Sequence, residues 1–98
     1  IRHTEICKEN TQTIAICGGS GSFLLEDAKR IGADMIISAD FKYHQFFDAD
    51  NEIIIADIGH YESEQFTKEL ISEILKKKFT KFATRLSSVN TNPINYLK

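Results

Sequence analysis

The sequence is short of the residues that mark specialised protein classes. It has no tryptophan, one proline, two cysteines and one methionine among 98 residues. Cys7 and Cys17 cannot build a disulfide framework, and they do not form a CxxC pair. Cys17 closes the apolar run Ile14-Ala15-Ile16-Cys17, where a free thiol packs as a small core residue. A reducing, cytosolic setting is the simpler expectation. An excess of either charge is also missing: 12 Lys and Arg face 14 Asp and Glu, a net charge of -2. With a pI near 5.9, the chain carries no electrostatic footprint for nucleic acid or an anionic membrane. The one basic run, Lys76-Lys77-Lys78, falls near an expected helix C-terminus, where it complements the dipole and faces water. No stretch is apolar enough to span a membrane, and the N-terminus lacks a signal-peptide pattern. Repeats, low-complexity segments and internal linkers are absent as well. The first residue is Ile, so a domain cut or processed from a longer chain is expected.

What is present describes one modest domain. Hydrophobic residues make up 42% of the chain, enough for a small core. Residues 1–12 are polar and mixed, and read as a lead-in. Thr13–Cys17 reads as a short buried strand, and Gly18-Gly19-Ser20-Gly21-Ser22 as a loop. Phe23, Leu24, Ala28 and Ile31 then give a helical pattern closed by Gly32. Met35–Ser38 is a second buried strand, and a helical turn is expected through His44–Phe47. Glu52–Ile58 is the third strand, with a long helix from about His60 to Lys78. Phe79–Ser88 is expected as a fourth strand, and Asn92-Pro93 marks a turn in the tail. This alternation predicts an α/β fold with about four strands in a mostly parallel or mixed sheet. Three loops should then share the edge at the strand C-terminal ends: Gly18–Ser22, Ala39–His44 and Gly59–Glu64.

Four groups on that edge could carry chemistry. His60 and Glu64 lie one helical turn apart on one face, a spacing that suits zinc, manganese or iron and equally suits a solvated surface pair. The helix N-terminus disfavours imidazolium at His60, which keeps the ring available as a ligand. Gly19, Ser20 and Gly21 could cradle an anion, or could form a tight turn for close helix–strand packing. The loop is neither a Walker loop nor a dinucleotide fingerprint. Asp40 and His44 could bind substrate, move protons or orient metal ligands, or could be loop polarity. Asp57, inside the third strand, is expected to hydrogen-bond backbone N–H groups near the turn rather than to bind metal. Glu62, two residues from His60, points to another side of the helix.

Five segments in this order resemble a known family. They are Ala15-Ile16-Cys17-Gly18-Gly19-Ser20-Gly21-Ser22-Phe23, then Gly32-Ala33-Asp34, then Asp40-Phe41-Lys42-Tyr43-His44, then Asp57-Ile58-Gly59-His60-Tyr61-Glu62-Ser63-Glu64, then Thr91-Asn92-Pro93-Ile94. Together they closely resemble the C-terminal part of the NIF-three-like dinuclear-metal-centre family, the GTP cyclohydrolase 1 type 2 homologues, from about Thr13 to Leu97. The resemblance implies a layered αβα sandwich, with residues 13–98 as the C-terminal one of two similar halves and the N-terminal half absent. It implies a cytosolic protein with two divalent metal ions and assembly as a homohexamer. It carries two metal ligands onto His60 and Glu64, the rest coming from the other half. The expected function is a metal-dependent hydrolase acting on a small-molecule or nucleotide substrate. The alternatives are a non-enzymatic metal-binding scaffold or interaction factor and, on the glycine loop alone, a nucleotide-binding module. The isolated chain is expected to bind metal weakly or not at all.

Overall fold

The computed structural model describes residues 1–97, which divide into two compact units, one over residues 1–64 and the other from residue 65 onward. The first unit holds a four-stranded sheet in the order β1-β4-β3-β2. The strands are β1 (Arg2–His3), β2 (Ile14–Ser20), β3 (Met35–Ala39) and β4 (Ile54–Asp57). β2, β3 and β4 are parallel, and β1 pairs antiparallel with β4. The α/β class and the mixed four-strand sheet are as expected from the sequence. One face is built by the rung Ala15–Ile36–Ile55, aligned across three strands. Ile36 and Ile55 are fully buried there, against Leu25, Ala28, Phe41 and Ile53. Short β-branched runs suffer little loss of rotamer freedom in this setting, which is why Ile53-Ile54-Ile55 sits at the centre.

Local chemistry fixes the connections. After β2 a 3₁₀ turn, Ser22–Leu24, leads into α1 (Leu25–Arg30). Gly32, at φ +75°, ends that helix. Gly32 N–H bonds the Lys29 carbonyl and Ala33 N–H the Ala28 carbonyl, each at 3.0 Å, a Schellman closure that satisfies the last carbonyls. Asp34 then accepts from Gln12 N–H at 2.9 Å and Thr13 N–H at 3.0 Å, tying the approach to β2 to the start of β3. These two bonds hold its carboxyl below the ordinary range. A 3₁₀ turn, Tyr43–Ala49, bridges β3 to β4 where the helical turn was expected.

Asp57 ends β4 and is 4% exposed. Its carboxylate accepts from Phe41 N–H and from Gly59 N–H, both at 3.1 Å, and pairs with Arg2 of β1. Arg2 also donates to the Phe41 carbonyl at 2.9 Å. One buried carboxylate thereby holds the loop after β3, the loop after β4 and the antiparallel edge strand. The expected backbone-bonding role of Asp57 is present, and Arg2 is the addition.

Three expected boundaries are corrected. The fourth strand is not Phe79–Ser88 but Arg2–His3, inside the lead-in. Phe79, Phe82 and Leu86 recur every three to four residues rather than every two, so they offer no sheet face. Phe82 N–H turns back to the Phe79 carbonyl, while Arg2 is drawn to the sheet by Asp57. The glycine segment is not all loop: β2 runs through Gly18 and Gly19 to Ser20, with an irregularity between Ile16 and Ser20. Gly19 at φ +66° permits that bulge, and buried Ser38 Oγ donates to its carbonyl at 3.0 Å. The long helix is two, α2 (His60–Glu64) and α3 (Thr67–Lys78). Ser63 Oγ donates to the His60 carbonyl at 2.8 Å, a back-bond that competes with helix continuation.

In the second unit, α3 presents Leu70, Ile71, Ile74 and Leu75, all exposed. Its Ser72 hydroxyl lies 3.2 Å from that of Thr84. No helix among the described residues is long and apolar enough to cross a membrane.

Replacing Asp57 by Ala strands two backbone N–H groups and leaves Arg2 without its carboxylate partner, bonded only to the Phe41 carbonyl. Each buried unpaired donor costs about 1–3 kcal/mol, and Arg2, 60% exposed, turns to water at little further cost. A loss of about 2–4 kcal/mol in urea unfolding is expected. A loss below about 0.5 kcal/mol would show that the carboxylate does not organise these loops.

Candidate functional site

The three loops do meet at the C-terminal edge of the parallel strands. β2 brings Gly19 and Ser20, the residue after β3 is Asp40, and the first turn after β4 carries His60, Ser63 and Glu64. His60 Nδ1 lies 2.6 Å from Asp40 Oδ2, and His60 Nε2 lies 3.1 Å from Glu64 Oε2. Asp40 Oδ2 also accepts the Ser20 hydroxyl. Gly19 N–H donates to Ser63 Oγ at 2.8 Å, which docks the start of α2 against β2. The spacing of four between His60 and Glu64 therefore places both side chains on one side of α2, over the bulge of β2.

That pair approaches the backbone of β2 closely. A methyl group on Gly19 would stand 2.5 Å from Glu64 Oε1 and 3.2 Å from His60 Nε2. With the positive φ, glycine is required there on two counts. Gly21 is different: a side chain there would meet Ser38 and Cys17, so its glycine serves close packing. The glycine run therefore divides its work, and the Gly19 amide is already committed to Ser63. Glu62 does turn to another side, with its carboxylate folded back over Gly59. His44 is exposed on the 3₁₀ turn and takes no part in the Asp40–His60–Glu64 hydrogen-bond set.

Charge shapes the cluster. The hydrogen bond with Asp40 is the largest influence on His60 and raises it above its ordinary 6.5, with the charges of Asp40 and Glu64 adding and desolvation opposing. Asp40 is held below its ordinary 3.8, first by His60 and then by Ser20. Both side chains are about half exposed, at 46% and 49%, so water screens the pair.

Two residues of this arrangement escape a reading of the sequence. Ser63 is a first-turn serine with no spacing motif to mark it. Arg2 lies in a polar lead-in; the only hint is an aspartate, Asp57, within an apolar strand, which demands a cation or backbone donors.

The chain is similar to known proteins along its length. A family model, Duf34/NIF3 (NGG1p interacting factor 3), matches residues 1–93. A Campylobacter jejuni relative, named GTP cyclohydrolase 1 type 2 homolog, is 35% identical over 97 residues, covering 98% of this chain and 38% of the relative. A Staphylococcus epidermidis relative of the same name is 34% identical over 101 residues, covering 98% of this chain and 27% of the relative. A crystal structure of a Staphylococcus aureus protein superposes with a TM-score of 0.74 at 28% identity, over 98% of this chain and 33% of that one. A Bacillus cereus protein related to NIF3 gives 0.73 at 25% identity, over 98% of this chain and 28% of that one. The chain thus spans between about a quarter and two fifths of its matched relatives' length.

Two tests follow from the geometry. Because Asp40 raises His60, Asp40→Asn should lower the titration midpoint of His60 toward 6.5, read from its ring protons by NMR. The raised value favours the folded state below pH 6.5, and that contribution is lost as pH rises through the folded midpoint. An unmoved midpoint would mean that the contact does not persist in solution. Gly19→Ala should displace the Glu64 carboxylate, visible as shifted Glu64 side-chain resonances with the β3 and β4 amides unchanged; unshifted Glu64 resonances would count against the tight approach.

Proposed function

This chain belongs to the Duf34/NIF3 family, and we propose from that premise that it supplies a histidine and a carboxylate, His60 and Glu64, to a divalent metal centre. The observation that carries the reading is their separation of 3.1 Å, with both side chains packed against a glycine that has no side chain to push them apart. Two donors bound to one zinc at ordinary lengths stand roughly 3.3 Å apart, so the pair fits one edge of a coordination shell without moving. Imidazole and carboxylate together suit zinc, manganese or iron. Among the described residues no group of three or more His, Cys, Asp and Glu is arranged to hold a metal. We assign the remaining ligands to other parts of a longer protein, in line with relatives of which this chain covers 27–38%.

The activity we propose is metal-dependent hydrolysis of a small molecule or nucleotide in the cytoplasm, in line with the name GTP cyclohydrolase 1 type 2 homolog carried by the relatives. A bound pair of divalent ions supplies Lewis-acid activation of water and charge neutralisation. The chain's own contributions are narrower. His60 and Glu64 would hold the ion, Asp40 occupies the far nitrogen of His60, and Gly19 lets both side chains pack against β2. A second reading, a metal-binding scaffold in a homohexameric ring, is favoured by one observation. Leu70, Ile71 and Ile74 of α3 are each more than half exposed, an apolar stripe suited to assembly.

Elemental analysis of the full-length protein should find two divalent metals per protomer, with clear loss in His60→Ala and Glu64→Ala. Unchanged content in both variants would remove these residues from the centre. Loss of turnover in His60→Ala with the assembly intact supports the hydrolase; cellular function that survives the loss of metal supports the scaffold.

A further inference from the structure

Asp40 stands in a backbone conformation that aspartate tolerates better than most residues and glycine better still. Its φ is +60°, in the left-handed region. The neighbours allow no escape: Ala39 is fully buried at the end of β3, and Phe41 is 2% exposed with its N–H bound to Asp57. A glycine would make this turn without strain; aspartate is one of the few other residues that tolerate it, and here its side chain is also engaged. That side chain has two partners. One carboxylate oxygen, Oδ2, accepts the Ser20 hydroxyl from the end of β2 and faces His60 Nδ1 at the start of α2. Ser20 and Ala39 are paired in the sheet, so the hydroxyl is delivered from a fixed rung. Ser20 Oγ is also 3.5 Å from His60 Nδ1, too far to replace the carboxylate there.

Resting on the metal-site reading above, we propose that Asp40, oriented by Ser20, is the positioning residue that fixes His60 with its proton on Nδ1 and presents Nε2 as the ligand atom. The two carboxylates on the ring divide its nitrogens between them. Asp40 at 2.6 Å is the closer acceptor and takes the proton-bearing nitrogen; Glu64 at 3.1 Å shares the other nitrogen's side. A ring fixed in this way needs no tautomer change or rotation on binding, and the charged partner raises its strength as a donor. Ser20 restrains the carboxylate rather than the ring, so its effect on binding is the smaller one.

The test uses the full-length protein with Zn²⁺ as the probe and two readouts. The first is the ¹⁵N spectrum of the His60 ring in metal-free protein, at a pH where the ring is neutral. The second is zinc affinity by calorimetry. In wild type, Nδ1 should carry the proton. Asp40→Gly suits the left-handed turn, so the fold should persist, checked by the amide spectrum; the proton should move toward Nε2 and affinity should fall roughly 10–100-fold. Asp40→Asn still accepts from Nδ1 through its amide oxygen, so it should restore the tautomer and recover part of the affinity. Ser20→Ala should give a smaller loss than Asp40→Gly. An Asp40→Gly protein with wild-type tautomer and affinity overturns the proposal. Failure of the metal reading looks different: Glu64→Ala would then bind zinc as wild type does, while the tautomer readout still decides the role of Asp40.

Discussion

A carboxylate buried at the end of the central strand is the constraint on which the rest of this site depends. Asp57 cannot be left unpaired at 4% exposure, and its partners are the features that shape the edge. It takes the N–H of Phe41 after β3, the N–H of Gly59 after β4 and the guanidinium of Arg2. Asp40 immediately precedes one anchored residue, Phe41, and His60 immediately follows the other, Gly59, just past the ends of neighbouring strands. Their 2.6 Å contact follows from two loops being tied to one carboxylate.

From that anchor the site is assembled by small, specific fits. The bulge in β2 turns Gly19 toward α2, its N–H bonds Ser63, and its missing side chain leaves Glu64 and His60 in place. The same bulge brings Ser20 to Asp40. α2 is only five residues long, and its outward groups are largely spent on these contacts rather than on continuing into α3. Packing, backbone geometry and charge thus converge on one histidine with a carboxylate at each ring nitrogen. This is the local order expected of a ligand that must meet a cation without rearrangement.

The parts of this arrangement legible in the sequence were those with a strong period or punctuation. The apolar runs at Ile14, Met35 and Ile53 mark three parallel strands, and glycines at 32 and 59 mark where a helix and a strand end. The shared edge and the His60–Glu64 pairing follow from those marks. What escaped depends on contacts between distant residues. Arg2 joins the sheet because of Asp57, fifty-five positions away, and nothing in a polar lead-in shows it. Glycines usually stop strands, so the sequence points to an end at Cys17, whereas a bulge carries β2 on to Ser20. The helix break at Gln65 and Phe66 is invisible to periodicity, since the apolar spacing from Phe66 to Leu75 continues a single helical pattern. Phe79–Ser88 carries enough spaced apolar residues to suggest a strand, but Phe79, Phe82 and Leu86 recur at three and four residues, not two.

The central claim is that a divalent ion sits between His60 Nε2 and Glu64. Anomalous diffraction at the zinc edge, from crystals of the full-length protein grown with zinc, addresses it directly. We expect an anomalous peak within about 2.0–2.2 Å of His60 Nε2 and of a Glu64 carboxylate oxygen, with Asp40 still on Nδ1. An ordered site with no peak there, or zinc bound only at other residues, would contradict it.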